Sequence, residues 1–236
     1  MGTTRTVKPS TGSRLLRQLR ALAALALLLC APGTLPAQAC QSPGSERWPI
    51  KTSLPSVSSA GHAGKVLAFA DLLALPDPPD AAELDHSQFN AVRAPSFPNP
   101  LDVQEGEVVE TEGWIHLIAL EADGDYHIQM TASATDGNQN LIVEVPCGQE
   151  GFVGSKSLRK RFEDVRAFIR EKMLKGKEPG SGGNVMNSPP YVHLRGQWFY
   201  DAPHFGGNPR GKRGMKAATI WEIHPVVAMW FVAPPG

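Results

Sequence analysis

Residues 155–175, SKSLRKRFEDVRAFIREKMLK, predict the clearest helix of the chain. Apolar side chains recur every three or four residues along this segment, which gives the helix one apolar face and one basic face. Ser155 or Ser157 can cap its start, and Gly176 follows its end. Three strand-like segments precede the helix and two follow it, so its position sets the order of the elements.

The strand-like segments are rich in β-branched and aromatic residues and are separated by turn residues such as Asp123-Gly124. Three strands, one helix and two strands is the order of a five-stranded Greek-key barrel of the OB type, with the helix between strands three and four. We therefore predict a mainly β, OB-like barrel; an SH3-like barrel and an open α+β sandwich are the alternatives. The predicted strands cover residues 107–120, 125–132, 141–145, 191–200 and 218–232.

The first 39 residues are typical of a secretory signal peptide. They contain basic residues and no acidic ones, followed by an apolar run over residues 21–31 and the small-residue pattern Ala37-Gln38-Ala39. The run is about half the length that crosses a bilayer as a helix. We therefore predict an exported protein, periplasmic or extracellular, with no transmembrane span after the signal is removed.

Cleavage after Ala39 would leave Cys40 as the first residue, which is the position of the lipid anchor in bacterial lipoproteins. Ala37 and Gln38 are unlike the residues that usually precede such a cysteine, so a lipid anchor at Cys40 stays an alternative. Cys147 is the other cysteine of the mature chain, and the two could pair in an oxidising compartment.

The mature chain divides into a leader and a domain. Residues 40–92 are rich in proline, serine and glycine, and contain a short apolar segment near 65–75 that predicts a helix. Residues 93–232 hold the predicted barrel.

Charge is distributed unevenly along the mature chain. Residues 40–154 hold 4 basic and 17 acidic residues, a net charge of −13, whereas residues 155–236 hold 14 basic and 6 acidic residues, a net charge of +8. Such a split predicts either an oriented electric field or two halves that attract each other.

Four short motifs resemble those of a family of uncharacterised exported bacterial proteins with an OB-fold-like barrel. They are GWIH at 113–116, DGDYHI at 123–128, EVP at 144–146 and WEIHPV at 221–226. The resemblance covers about residues 93–232. It implies a domain and a location, not a reaction.

Histidines mark the polar side of four predicted strands. Side chains alternate between the two faces of a strand, so Asp125 and His127 share one face, as do Glu222 and His224. In a closed barrel these strands are neighbours. We therefore expect His116, His127, His193 and His224 to lie on one outer surface.

Three interpretations of this surface compete: a solvated face, a ligand-binding face, and a metal or catalytic site. Aromatic rings could stack on bases or sugars while basic side chains meet anions. Imidazole and carboxylate groups are suitable ligands for a divalent metal such as zinc or manganese. The ligand-binding candidates are Trp114, Tyr126, Arg195, Trp198, Tyr200, Lys212 and Arg213, and the metal-ligand candidates are His116, Asp125, His127, Glu222 and His224.

The sequence favours a binding protein over an enzyme. It lacks the Gly-x-Ser-x-Gly motif of many hydrolases, and the basic glycine-rich loop 205–216 lacks the ending of a phosphate-binding loop. The leading hypothesis is the binding of an anionic or sugar-like polymer, nucleic acid or oligosaccharide, through the barrel face and this loop. The alternatives are a metal-dependent phosphodiester hydrolase and an interaction module of the cell envelope.

Overall fold

The computed structural model describes residues 1–3, 40, 47–54, 64–83, 89–207 and 210–236. Apart from its first three residues, the signal peptide predicted for residues 1–39 lies outside the described part of the chain. No helix within the described ranges has the length and apolar character needed to cross a bilayer.

The elements follow one another in an order close to the predicted one. Ahead of the main sheet lie a short helix, a short strand, a second short helix and a 3-10 turn: α1 Trp48–Lys51, β1 Lys65–Val66, α2 Phe69–Leu73 and Ala81–Glu83. The main elements are β2 Val108–Leu120, β3 Tyr126–Thr131, β4 Asn140–Val145, α3 Lys156–Met173, β5 Asn184–Val185, β6 Tyr191–Tyr200, a 3-10 turn Ala202–His204 and β7 Ala217–Phe231.

The strands form one mixed sheet that closes into a ring. Antiparallel pairs join β2 to β3, β3 to β4, β7 to β6 and β6 back to β2, while β4 and β7 are parallel. The two-residue strands β1 and β5 lie against β2. The prediction of a mainly β domain is confirmed, and the long helix lies between the third and fourth of the five long strands.

Helix α3 begins and ends as its sequence predicts. The hydroxyl of Ser155 accepts a hydrogen bond of 3.3 Å from the backbone N–H of Leu158, which satisfies one donor of the first turn. Gly176 has a positive φ of 78°, and its N–H donates to the carbonyl of Arg170 at 2.8 Å, which ends the helix. Its apolar face joins the hydrophobic core through Phe162, Val165 and Ile169.

The described residues 64–83 of the predicted leader pack on the sheet. Residues 65–75 were expected to form one helix, but the structure has the strand β1 at 65–66 and a helix only at 69–73. Leu72 and Leu75 belong to the hydrophobic core. The indole N–H of Trp221 donates to the carbonyl of Pro76 at 3.0 Å, so this segment packs directly on the ring.

Arg47 connects the described segment 47–54 to the same unit. It is 1% exposed, and its guanidinium donates to both carboxylate oxygens of Glu105, at 2.6 and 2.8 Å. A bidentate pair of this kind is strong because both charges and the geometry match. The described residues from Cys40 onward belong to one packed unit.

A disulfide joins Cys40 to Cys147, with a Cα–Cα distance of 6.2 Å. The same sulfur cannot also carry a lipid thioether. Disulfide pairing and a lipid anchor at Cys40 therefore exclude each other, and this structure contains the disulfide.

Candidate functional site: a buried carboxylate–histidine cluster

Neighbouring strands bring the site together on the side of the sheet away from the hydrophobic core. His127 of β3 lies directly opposite Glu144 of β4. Glu222 of β7 lies opposite Ile142 of β4, and these two strands are parallel. Two residues further along both strands, His224 is therefore the neighbour of Glu144.

His224 is fully buried among carboxylates. Its Nε2 lies 3.4 Å from Oδ2 of Asp125, and its Nδ1 lies 3.2 Å from Oε2 of Glu144 and 3.6 Å from Oε2 of Glu222. Burial alone would lower the pKa of His224, but these three carboxylates hold that pKa well above its usual value.

Glu144 lies between two histidines. Its Oε1 is 3.0 Å from Nδ1 of His127, and that same nitrogen is 3.5 Å from Oε1 of Glu121. Burial would raise the pKa of Glu144, but His127 and His224 together hold it well below its usual range.

Two cations compensate the acidic groups. Arg210 forms ion pairs with Asp201 and Glu222 and approaches Oε1 of Glu144 at 3.8 Å. Burial opposes the charged form of Lys51, but Glu144 and Glu222 raise its pKa overall.

The cluster is covered, which corrects the expectation of a solvated outer face. Asp125 and His224 have no exposed surface, and Glu144 is 5% exposed. On one side the amide of Gln197 donates to the carbonyl oxygens of Ile50 and His224, which fixes α1 over the sheet. The loop residues from Arg210 to Lys216 cover another side, where the backbone N–H of Lys212 donates to Oε1 of Gln129 at 2.6 Å.

Two sets of metal-ligating groups are found among the described residues. One consists of Asp125, Glu144 and His224, and the other of Glu121, His127 and Glu144. In each set one ligand atom per residue lies within 4.8 Å of the others. Oxygen and imidazole nitrogen donors of this kind suit zinc or manganese.

Four of the predicted metal ligands meet here, together with two acids that were not predicted as ligands, Glu121 and Glu144. Asp125, His127, Glu222 and His224 all belong to the cluster. Glu144 was not predicted as a ligand, although it is the one charged residue in the apolar strand NLIVEV. A lone acid in a buried strand was the signal that could have identified it.

His116 and His193 lie outside the cluster, so the expectation that all four histidines share one surface is wrong. His116 is bonded to the carbonyl oxygen of Ser133 at 2.7 Å and belongs to neither ligand set of the described chain. His193 lies on β6, 2.8 Å from Oε2 of Glu110 and 3.0 Å from Oε1 of Glu112. Its carboxylate partners lie on β2, which pairs with β6 on the side of the ring away from the cluster.

Three of the predicted stacking rings lie in the hydrophobic core. Tyr126, Trp198 and Tyr200 have no exposed surface, so none offers a ring face to a ligand. Trp198 stacks on Trp221 with centroids 5.3 Å apart. These rings point inward because they alternate with the polar residues that face the cluster.

The remaining ligand-binding candidates are on the surface, but their polar groups are already paired. Trp114 is half-buried and packs against Tyr191. The basic candidates are held by separate partners: Arg195 bonds to Glu110 at 2.7 Å, Lys212 lies 3.1 Å from Glu121, and Arg213 donates to the carbonyl of Gly182 at 2.8 Å.

Comparisons with protein-family models, with curated proteins and with solved structures find no match for this chain.

Proposed function

We propose that this protein binds a divalent metal ion, zinc or manganese, through Asp125, Glu144 and His224. The observation that carries the proposal is the convergence of these three buried groups, each with a ligand atom within 4.8 Å of the others. Oδ2 of Asp125 and both nitrogens of His224 lie 3.2–3.6 Å from their charged neighbours but form no well-directed hydrogen bond among the described residues. Buried polar atoms normally find a partner, and a cation would supply one.

Electrostatics supports the same proposal. Asp125, Glu144, Asp201 and Glu222 are nearly inaccessible to water, and Arg210 and Lys51 supply only two positive charges for these four carboxylates. Whichever nitrogen of His224 binds the ion, the other faces a carboxylate, which would fix the orientation of the ring.

A metal-dependent phosphodiester hydrolase is the second candidate, favoured by a groove beside the cluster. The groove has a volume of about 330 Å³ and is lined by Arg210, which also contacts Glu222. A phosphodiester bound there would place its negative charge next to Arg210. The oxygen of a water molecule would form a new bond to phosphorus while the P–O bond to the leaving group breaks, and the proton released by the water would pass to the leaving alkoxide.

Polymer binding, the hypothesis that the sequence favoured, has less support. Of its candidate rings, Tyr126, Trp198 and Tyr200 are in the core, and its basic side chains are paired within the chain. An envelope interaction module stays a proposal that rests on export alone.

We also propose that the domain is an OB-like barrel in an exported protein. The closed ring in the order β2-β3-β4-β7-β6, with α3 between β4 and β6, supports the first point. The Cys40–Cys147 disulfide supports the second, because such bonds persist in oxidising compartments.

The test is metal content and thermal melting of the purified mature protein after reconstitution with zinc or manganese. We expect bound metal and a raised melting temperature, since a ligand at 100 times its dissociation constant stabilises a protein by about 2.7 kcal/mol. His224→Asn should lose both effects. His193→Asn is the matched control, because His193 also lies between two carboxylates but outside the cluster.

Absence of metal and of a melting shift in the unsubstituted protein would overturn the proposal. If His224→Asn fails to fold, judged by circular dichroism, Asp125→Asn serves instead. Hydrolysis of bis(p-nitrophenyl) phosphate by the reconstituted protein tests the second candidate. A metal-bound protein without turnover would remove the hydrolase and leave the metal site.

A further inference from the structure

We infer that the cluster holds two divalent ions, with Glu144 as the carboxylate that bridges them. The inference rests on the proposed function, because one of the two ions is the ion proposed above. It adds a second site, formed by Glu121, His127 and Glu144, and a stoichiometry of two ions per chain.

The orientation of Glu144 is the first argument. Its Oε2 faces His224, at 3.2 Å from Nδ1, and its Oε1 faces His127, at 3.0 Å from Nδ1. Each oxygen of this carboxylate therefore contacts a different histidine. A carboxylate with its two oxygens divided in this way is suited to bridge two metal ions.

The environment of His127 is the second argument. This histidine is 4% exposed, and its Nε2 has no hydrogen-bond partner in the described ranges of the chain. Its Nδ1 meets two carboxylate oxygens, from Glu144 and Glu121. A neutral imidazole can donate to at most one of them, so a cation bound between Nδ1 and the two oxygens would balance both carboxylates.

The two sites differ in how open they are. Asp125 and His224 of the first site have no exposed surface, whereas the side chain of Glu121 in the second is 32% exposed. The ammonium of Lys212 lies 3.1 Å from Oε1 of Glu121, where it competes with a bound cation. We therefore expect the ion at the Asp125 site to bind more tightly and the ion at the Glu121 site to exchange faster.

The experiment is a titration of the metal-free mature protein with Mn²⁺, followed by calorimetry, metal analysis and electron paramagnetic resonance. We expect two ions per chain in two steps, and a spin-coupled signal when both are bound. Glu121→Gln should reduce the stoichiometry to one ion and abolish the coupled signal. Lys212→Met should tighten the second step about fivefold, the effect of removing one partly exposed competing charge.

Glu112→Gln is the matched control, because Glu112 is also a partly exposed acid beside a histidine, His193, and should leave both steps unchanged. One ion per chain, with Glu121→Gln identical to the unsubstituted protein, would overturn the second site and leave the proposed function standing. No bound ion at all would overturn the proposed function itself. Unchanged melting of metal-free Glu121→Gln would show that its loss of metal is not a loss of fold.

Discussion

The backbone N–H of Cys147 donates a hydrogen bond of 3.0 Å to Oδ1 of Asp125. Cys147 therefore connects the disulfide directly to the buried cluster. The bond leaves Oδ2 of Asp125 facing His224 at 3.4 Å, so the disulfide helps to orient a candidate metal ligand.

Cys40→Ser should therefore weaken both stability and metal binding. The disulfide spans a sequence separation of 107 residues, and losing a native disulfide costs about 2–5 kcal/mol. Urea unfolding measures the first effect and Mn²⁺ titration the second. The unsubstituted protein in reductant should match the variant. An unfolding midpoint that does not change on reduction would contradict this prediction. Separately, the intact mass of the mature protein would show whether Cys40 carries lipid.

Trp198 should behave as a core residue and not as a binding residue. Trp198→Ala should destabilise the protein by about 3–5 kcal/mol, because the ring is fully buried against Trp221. Trp230→Ala is the control: its ring is 38% exposed and stacks on His193, so we expect a cost below about 1 kcal/mol. Guanidinium unfolding compares the two, and equal costs would argue against this assignment.

Gly196 should not tolerate a side chain. A Cβ at this position would lie 2.6 Å from the carbonyl oxygen of Pro225, at the irregular register between β6 and β7. Because the obstacle is backbone, Gly196→Ala should cost about 1–3 kcal/mol or more. Gly154→Ala meets nothing within 4 Å and serves as the control, with a change near zero or slightly stabilising. Thermal melting of both variants tests this prediction. A Gly196→Ala variant that melts at the same temperature as the unsubstituted protein would contradict the observed strand pairing.

Stability in mild acid should depend on Glu110. Burial would raise the pKa of this carboxyl, but Arg195, His193 and the N–H of Gly64 together lower it below its usual 4.5. A lowered pKa means that the ionised group stabilises the fold above about pH 4.5, and that this contribution is lost as the pH falls through the folded value. Glu110→Gln should therefore be less stable than the unsubstituted protein near pH 6.

The difference between the two proteins should shrink as the pH falls below about 4.5, because Glu110 then becomes protonated in the unfolded chain before it does so in the folded one. Urea midpoints measured at several pH values test this, and Glu107→Gln is the control because the side chain of Glu107 is exposed. A constant difference at all pH values would mean that the effect of the substitution is not electrostatic.

Local patterns predicted the elements well, because strands and helices depend on nearby residues. The predicted strand at 191–200 coincides with β6, and the predicted helix at 155–175 contains α3. The charge asymmetry also has a structural counterpart. Arg195 pairs with Glu110 and Lys212 with Glu121, which supports the interpretation that the two halves of the chain attract each other.

Strand alternation predicted part of the site. It correctly grouped Asp125 with His127 and Glu222 with His224, because these pairs are two residues apart on their strands. It could not reveal that Val226, two residues beyond His224, belongs to the core, because the register of β7 against β6 shifts there.

By itself the sequence determined the order of the elements, the inward and outward faces of most strands, and the kinds of side chain available for a metal site. The tertiary structure alone decided which of these side chains meet. Glu144 reaches His224 because β4 and β7 run side by side in parallel, a pairing between strands that lie far apart in the chain. Whether a polar strand face is exposed to water or covered by other residues also depends on distant segments, here α1 and the loop that carries Arg210. No local pattern could therefore reveal that this face is buried.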